Sequence, residues 1–563
     1  MIEYASDFET TTDANDCRVW AWGCAEVGAE PEDSYVYGND FAGWLSHVME
    51  NPGRYWFHNL GFDSRFVMWN LLHMGFTWVP KKPKEGEFSS VIDNMGKIYA
   101  LEIGNANGRL QLADSYKKFP MSLASVARAY DLPMSKGELD YDAYREVGHE
   151  LTEEEKDYLS RDVLILARAM HKRLQVGTKL TTGADCLATY QDIIGDVKWK
   201  IWFPHLNPKL DGEIRQAYRG GYVYCNPIHQ GQVVGEGIAL DVNSLYPYVM
   251  RTALLPWGTP KRFKGRPRES EEYPLWVCSV RFDAAIKPGK LPCIQMKNNM
   301  FYGDREYIRE TVEPIELSVS SVDWKLICDM YEVTVYEWGG GYAFHASHGM
   351  FDDYIDHWVQ EKIVASKDGN QARRQNAKLA LNNLYGKFGQ KVDVQGKVPF
   401  LDSEEVLRFI DGDEDMREPV YIPGAVFITA WARDKTIRTA CEFGDRYLYS
   451  DTDSIKALGA DIPEDVHVDD YELGAWALEG RFDKGVFLRA KTYATVTDGV
   501  PTYVCAGMPN SLKDVMMFED FRLGFTTLGT DNPDYANQDN WKLVPKNVRG
   551  GCVLVPLPFT IHG

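Results

Sequence analysis

Polarity along the chain changes period several times, and each change marks an element. Ile2–Glu9 predicts a strand whose alternation puts Asp7 and Glu9 on one face. The first third continues in mixed strand and helix segments, an α/β pattern. From Thr152 to about Leu174 the period becomes helical. Leu159, Val163, Leu166 and Met170 form one stripe, and Thr152 with Glu155 makes a capping box at its start. Ile238-Ala239-Leu240-Asp241-Val242 is an apolar strand carrying an acid. Leu254–Gly349 is rich in Pro and Gly and predicts only short β runs. A second helical region begins near Phe351, with Tyr354, Ile355, Trp358, Val359 and Ile363 on one face. It breaks at Lys367–Asn370 and resumes over Gln371–Phe388, which predicts an antiparallel helical hairpin. Gln390–Tyr421 predicts a β-hairpin with acids Asp411–Asp415 near its end. Tyr447–Ile455 predicts another, with Asp451 and Asp453 at the tip. The tail from Met508 has no clear period, and the chain has no internal repeat or low-complexity tract.

Length adds a domain count. The 563 residues correspond to about three to five domains. With 44% hydrophobic and 13% aromatic residues the chain is globular. No apolar run approaches the roughly 20 residues that span a bilayer, and the first residues lack the basic and apolar regions of a signal peptide. Ten cysteines without a C-x-x-C pair indicate reduced, mostly buried thiols and not a zinc site. The net charge of −21, taken alone, argues against nucleic-acid binding, since most such domains carry a basic footprint. It is compatible with a basic channel inside an acidic shell, since the local potential governs binding. A salty working environment is another reading of the same excess.

Two sets of carboxylates then bear on chemistry. Asp7-Phe8-Glu9 ends a strand, Asp63 closes His58-Asn59-Leu60-Gly61-Phe62-Asp63, and Tyr158 and Asp162 share a helical face. Each piece alone is more often ordinary surface polarity. Together they supply oxygen ligands for paired Mg²⁺ ions and a phenol to orient water. The second set is Asp241, Asp451 and Asp453, with Lys378, Asn382 and Tyr385 at i, i+4 and i+7 of a helix between them. Alone, Asp-Thr-Asp reads as a polar turn and the helix as a solvated amphipathic one. As a set they match the needs of phosphoryl transfer, namely placed metal ions and cations on a triphosphate.

The first set resembles the DEDDy-type proofreading exonucleases, whose motifs stand here as DFET, HNLGFD and YLSRD. The second resembles motifs A, B and C of family B DNA polymerases, as DVNSLYP, KLALNNLYG and YSDTDS. The match is closer to the protein-primed phage branch, the phi29-type enzymes. Tyr218-Arg219-Gly220-Gly221 resembles its YxGG motif, and Thr429-Ala430-Trp431-Ala432-Arg433 and Lys491-Thr492-Tyr493 two further motifs. The resemblance runs in order from Asp7 to about Met508.

That resemblance implies a multidomain α/β and α+β fold: an RNase H-like exonuclease domain followed by a right-hand polymerase with two family-specific insertions. The implied divisions are exonuclease 1–183, palm 184–253 and 422–507, first insertion 254–349, fingers 350–389, second insertion 390–421 and thumb 508–563. It implies two Mg²⁺ ions per site, replaceable by Mn²⁺. Asp7, Glu9, Asp63 and Asp162 would hold one pair, with Tyr158 and Lys136 catalytic. Asp241, Asp453 and the Val242 carbonyl would hold the other, with Asp451 beside them. Tyr246 and Tyr385 would flank the incoming sugar, and Lys362, Lys378 and Asn382 would meet the nucleotide. Thr10, His58, Asn59, Phe62 and Ser115 would hold single-stranded DNA. Tyr218, Gly220, Gly221, Lys387, Thr429, Arg433, Lys491 and Tyr493 would contact primer-template. Tyr116 stands where the family prefers leucine, and the fingers turn at Lys367–Asn370 is longer. The implied function is DNA-directed DNA synthesis with 3′→5′ proofreading by a monomer in an infected bacterium's cytoplasm. It would be processive and strand-displacing, use dNTPs, take a terminal protein as primer, and have no membrane partner. A primer-independent family B polymerase, or an exonuclease with a non-functional polymerase region, is the alternative.

Overall fold

The computed structural model describes residues 1–133, 139–141, 143–296, 303 and 306–562. The first strand, Glu3–Thr10, lies one residue from its expected span. It sits inside an eight-stranded sheet ordered Val36–Gly38, Val19–Glu26, Glu3–Thr10, Arg54–Phe57, Leu110–Asp114, Ile98–Ile103, Glu87–Ile92, Thr77–Trp78. Glu3–Thr10 is antiparallel to Val19–Glu26 and parallel to Arg54–Phe57. Both faces are covered, so Val19–Ala25 is buried at every position. Phe41, Trp44, Phe66 and Leu71 of two helices fill one face. Leu159, Val163, Leu166 and Met170 of the helix Glu153–Leu174 fill the other. That helix starts where expected: Thr152 caps it and the reciprocal Glu155 bond is present.

The central sheet is antiparallel and five-stranded: Trp476–Phe482, Gly237–Val242, Ser454–Leu458, Tyr447–Asp451, Val223–Cys225. The helix Ile422–Glu442, buried along most of its length, packs beside it. Residues 254–349 differ from the short runs expected. They form a four-stranded sheet that includes the 17-residue strand Tyr331–Ser347, plus the helix Ser321–Met330. The glycines that hid this strand are what it needs. A Cβ on Gly341 would run into the Val277 carbonyl, so the two strands approach closely only because none is present.

The expected helical hairpin is Asp352–Lys367 and Gln371–Asn383, followed by a separate turn Tyr385–Phe388. Phe351, Tyr354, Ile355 and Trp358 are buried, whereas Ile363 is 42% exposed because the stripe outruns the core it packs on. The β-hairpin expected over 390–421 is Asp393–Leu401 with Leu407–Met416. The tail from Met508 ends in a hairpin, Lys542–Val548 with Gly551–Leu557. The two hairpins and the helix Asp63–His73 meet. Leu407, Cys552 and Val553 share one core with Phe66 and Trp69. The Trp69 indole donates to the Glu405 carbonyl (2.7 Å), and Asn547 donates to that of Leu407 (2.8 Å).

All ten cysteines are free thiols. Among the described residues no helix is long and apolar enough to cross a membrane.

Thr152 closes the long helix on which Tyr158 and Asp162 sit. Thr152→Ala is expected to lower stability by about 1 kcal/mol, read as a shift in the denaturant midpoint at unchanged slope.

Candidate active sites

The first site is a cleft of about 500 Å³ lined by Asp7, His58, Asn59, Tyr116 and Asp162, among others. Of the four expected acids, Asp7 and Asp162 line it, whereas Glu9 lies close enough to Tyr158 to act on its phenol and Asp63 is buried near Asp114. Asp7 and Glu9 project from Glu3–Thr10, Asp63 opens the helix Asp63–His73, and Asp162 lies two turns into Glu153–Leu174. Burial pushes the Asp63 carboxyl up to about 7, and the charge of Asp114 adds to this. Burial also raises the Tyr158 phenol, helped by its 2.5 Å hydrogen bond to the Tyr141 hydroxyl and by the charges of Asp162 and Glu9. Asn59 takes a left-handed conformation (φ 70°), which asparagine tolerates, and this turns the loop toward the cleft.

Asp114 holds that loop. Its Oδ1 accepts from the Asn59, Leu60 and Tyr116 amides at 3.0–3.3 Å. Sequence reasoning misses Asp114, which looks like any acid at a strand end. Ser115 does not reach the cleft: it is fully buried, donates to the Phe57 carbonyl and bonds His58 Nδ1 (3.0 Å). Its neighbour Tyr116 lines the cleft. Thr10 ends its strand and Phe62 precedes the Asp63 helix, both partly exposed. Lys136 lies outside the described residues.

The second site sits on the five-stranded sheet. Register places Asp241 opposite Ser454, and the Val242 amide donates to the Asp453 carbonyl at 2.8 Å. Asp241, on its strand, therefore lies beside Asp453, in the turn that joins Tyr447–Asp451 to Ser454–Leu458. Burial pushes Asp241 up to about 7, with Asp453 and Glu479 adding like-charge repulsion. Burial raises Asp453 as well. Two half-buried acids in this condition favour a cation between them. Asp451 is already engaged: Lys491 Nζ lies 2.8 Å from its carboxylate. Lys456, which sequence reasoning misses, is buried beneath the acids, and burial lowers its ammonium despite Glu479, Asp241 and Asp451. Among the described residues no three acids, histidines or cysteines sit close enough to hold an ion alone. Ions here would need backbone and substrate oxygens too, the usual case for Mg²⁺.

Thr452, between the acids, is left-handed (φ 61°) and is clamped by two bonds. Its amide donates to the Tyr222 carbonyl, and Thr436 donates to its own carbonyl, each at 2.7 Å. Gly221 lets the chain pass, since a Cβ there would lie 2.5 Å from the Thr452 hydroxyl. Gly220 faces open space. Arg433 is buried and binds the Arg219 and Gly220 carbonyls (2.7 Å each) and both Asp323 oxygens. Thr429 is buried too, donating to the Ala425 carbonyl. These two residues shape the Tyr218–Gly221 loop and its helix from within, and the structure does not bring them to a surface that DNA could touch. Tyr218 packs its hydroxyl beside Gly389, and Lys387 bonds Gln390. Tyr493 stacks near Tyr449 and under the Lys456 ammonium.

Above the acids, the rings of Tyr246 and Tyr385 stack with centroids 3.7 Å apart. Lys378 and Asn382 are exposed on the same helix face that leads to Tyr385. Burial lowers the Lys362 ammonium, and the charges of Arg374 and Lys378 lower it further, so three cations converge. Sequence reasoning misses Arg374, although it lies four residues before Lys378 and shares its face.

A strand acid beside a turn acid, with stacked tyrosines and a cation-bearing helical hairpin nearby, fits the needs of nucleotidyl transfer. The chain belongs to the organellar and viral type B DNA polymerases, whose family model matches residues 45–149 and 144–470. It is 39% identical over 587 residues to the DNA polymerase of Bacillus phage Nf, with 99% of both chains covered. It is 37% identical over 585 residues to that of Bacillus phage phi29, covering 99% of this chain and 98% of the other. The Streptococcus phage Cp-1 enzyme is 31% identical over the same 99% of this chain and 98% of its own. A structure of phi29 DNA polymerase complexed with primer-template DNA and incoming nucleotide matches with TM-score 0.92 at 37% identity, covering 100% of both chains. Its complex with single-stranded DNA matches at 0.90 and 36%, again over 100% of both. The chain is a phi29-type DNA-directed DNA polymerase, and its fold is an exonuclease domain joined to a right-hand polymerase.

Tyr246 is half-buried against Tyr385, where bulk on a nucleotide sugar would be felt. Tyr246→Ala is expected to raise ribonucleotide incorporation relative to deoxynucleotide by roughly tenfold or more. Competing single-nucleotide insertions measure this, and unchanged selectivity would remove Tyr246 as the gate.

Proposed function

We propose that this polymerase proofreads with a 3′→5′ exonuclease built on Asp7, Glu9, Asp63, Asp162 and Tyr158, and that it copies DNA from dNTPs processively, displacing the strand ahead. The observation that supports this most is the pair of separate carboxylate sites. One is a cleft on the eight-stranded sheet and the other lies on the five-stranded sheet, with no shared acid. The donor chemistry of both fits Mg²⁺, or Mn²⁺ in its place: buried carboxylates raised toward 7 by burial and by neighbouring acids favour a bound cation. Asp7, Glu9, Asp63 and Asp162 would hold the ions of one site, and Asp241, Asp453 and the Val242 carbonyl those of the other. Such ions activate a nucleophile and stabilise the leaving oxygen of a phosphodiester. The chain's own residues orient and bind. The Tyr158 phenol stays protonated and can direct a water, while Lys362, Lys378 and Arg374 supply positive charge for a triphosphate.

The family-based divisions follow the same reading: exonuclease 1–183, palm 184–253 and 422–507, insertions 254–349 and 390–421, fingers 350–389, thumb 508–563. The complexes of the phi29 enzyme with primer-template and with single-stranded DNA support these as partners. A terminal protein as primer, a monomeric state and the cytoplasm of an infected bacterium rest on family resemblance. The test of the whole reading is extension of a primed circular template with Mg²⁺ and dNTPs alone. Very long products are expected, and no incorporation would overturn it.

Asp7→Ala with Glu9→Ala is expected to lower primer degradation by roughly a hundredfold or more while single-nucleotide insertion stays within about twofold, because the acids serve separate sites. Loss of both activities in a folded variant would contradict this.

Processivity has a structural rationale in the two hairpins. A protein of net charge −21 cannot hold DNA by attraction everywhere. Enclosure serves better, and the 390–421 hairpin tip meets the C-terminal hairpin. The Arg549–Glu405 ion pair there is 69% and 40% exposed, so it adds little, about 0–1 kcal/mol. The shared core of Leu407, Cys552, Val553 and Phe66 does the holding. Replacing 390–421 by a short Gly-Ser bridge is expected to shorten products under single-turnover trapping while insertion persists. Unchanged product length with unchanged insertion would refute the clamp.

A further inference from the structure

Lys261-Arg262-Phe263-Lys264-Gly265-Arg266-Pro267-Arg268 carries five cations and no acid in eight residues, within a chain of net charge −21. All five are exposed, and none is ion-paired among the described residues. Such a run inside an acidic protein costs self-repulsion, and here the fold gathers it instead of dispersing it. The strand Leu255–Phe263 slips register between Trp257 and Lys261 and then pairs Lys261 with Ala343. The turn that follows is left-handed at Gly265 (φ 71°). Lys261, Lys264, Arg266 and Arg268 then face a cleft of about 670 Å³ whose other wall includes Tyr273 and Trp276.

From Tyr273 on the cleft wall, a ring stack runs back toward the core. Trp257 stacks on His345 with centroids 4.8 Å apart, and His345 lies 4.4 Å from Tyr273. The Lys261 ammonium sits 4.7 Å from the Tyr273 ring and the Arg266 guanidinium 5.9 Å from that of Trp338. Three acids follow the run, of which Glu271 is exposed and the other two are engaged at their polar ends. Glu269 accepts from the Trp276 indole (3.1 Å), and Glu272 pairs its carboxylate with the Tyr273 hydroxyl and its carbonyl with His345. Cations along a groove bind a phosphate backbone, and aromatic faces beside them take bases of any sequence. An acidic protein segment would satisfy the cations but would leave this ladder of rings without a purpose.

We propose that the basic–aromatic cleft between Lys261–Arg268 and the Trp257–His345–Tyr273 ring stack is a second binding site for single-stranded DNA. None of its residues lines either catalytic site. In a protein whose overall charge repels DNA, it would hold a free strand while the palm works on the duplex.

The test uses the full-length chain carrying Asp7→Ala and Glu9→Ala, with a hairpin primer-template and the next dNTP filling the palm. Fluorescein-labelled oligothymidylate is then titrated at several salt concentrations. Lys261→Ala/Lys264→Ala/Arg266→Ala/Arg268→Ala is expected to weaken binding by about tenfold or more. It is also expected to flatten the salt slope by about 0.7 for each phosphate that the variant no longer neutralises. Tyr273→Leu is expected to weaken oligothymidylate but not an abasic oligomer of equal length. Single-nucleotide insertion reports folding. If the quadruple variant loses insertion, Lys264→Glu at its exposed position decides by the same slope. Unchanged affinity and slope would overturn the proposal. So would oligoglutamate binding as tightly as oligothymidylate with Tyr273→Leu affecting neither, an outcome that marks a surface for an acidic protein.

Discussion

Arg433 is the residue on which the polymerase site depends. Its guanidinium spends all of its reach inside the protein, on both oxygens of Asp323 and on the carbonyls of Arg219 and Gly220. Asp323 belongs to the helix Ser321–Met330 of the 254–349 segment, and the carbonyls belong to the loop that leads into the central sheet. One turn further along the same helix as Arg433, Thr436 holds the Thr452 carbonyl between Asp451 and Asp453. A single buried cation thus ties an insertion, a loop and the acidic turn into one body. Removing one member of such a buried pair costs about 3–5 kcal/mol, because the other charge is left without a partner. That cost keeps the turn from drifting, although Asp451 and Asp453 repel each other across it.

The second constraint is charge. Asp241 and Asp453 are brought side by side by strand register, not by mutual attraction, and the sheet absorbs the repulsion. Lys491 neutralises Asp451, Lys456 lies buried beneath the group, and what remains is a deficit of positive charge directed at the open side. The facing helical hairpin answers it with Lys362, Lys378 and Arg374. The two walls therefore differ in charge, cationic on the helical hairpin and anionic on the sheet. The chain as a whole is strongly acidic, so long-range attraction to DNA is weak, and the exposed basic run Lys261–Arg268 stands out against that background.

Local order was legible in the residues. The Thr152–Glu155 box and its stripe marked the long helix, alternation marked Glu3–Thr10, and both hairpins could be read from turn residues. These signals survive because each is made by neighbours in the chain, where backbone geometry alone sets which side chains share a face. Most acids of the two sites were legible because they sit in readable elements or turns, Asp7 and Glu9 on the first strand, Asp162 on the long helix, Asp241 on its strand and Asp451 and Asp453 at a hairpin tip. The strand Tyr331–Ser347 was not, because glycines that look like breakers were needed for close strand approach.

What only the tertiary structure decided is which polar groups meet across long separations. Asp114 pinning Asn59, Arg433 turning inward to Asp323, Ser115 closing on Phe57 and Lys491 pairing with Asp451 each join segments that nothing local relates. Burial converts the first three from weak surface contacts into positioning devices, whereas the Lys491–Asp451 pair stays exposed, and burial is a property of the packed whole. The chain alone determined the elements and the chemical groups they carry. The packing of those elements determined which groups point at substrate and which point at one another.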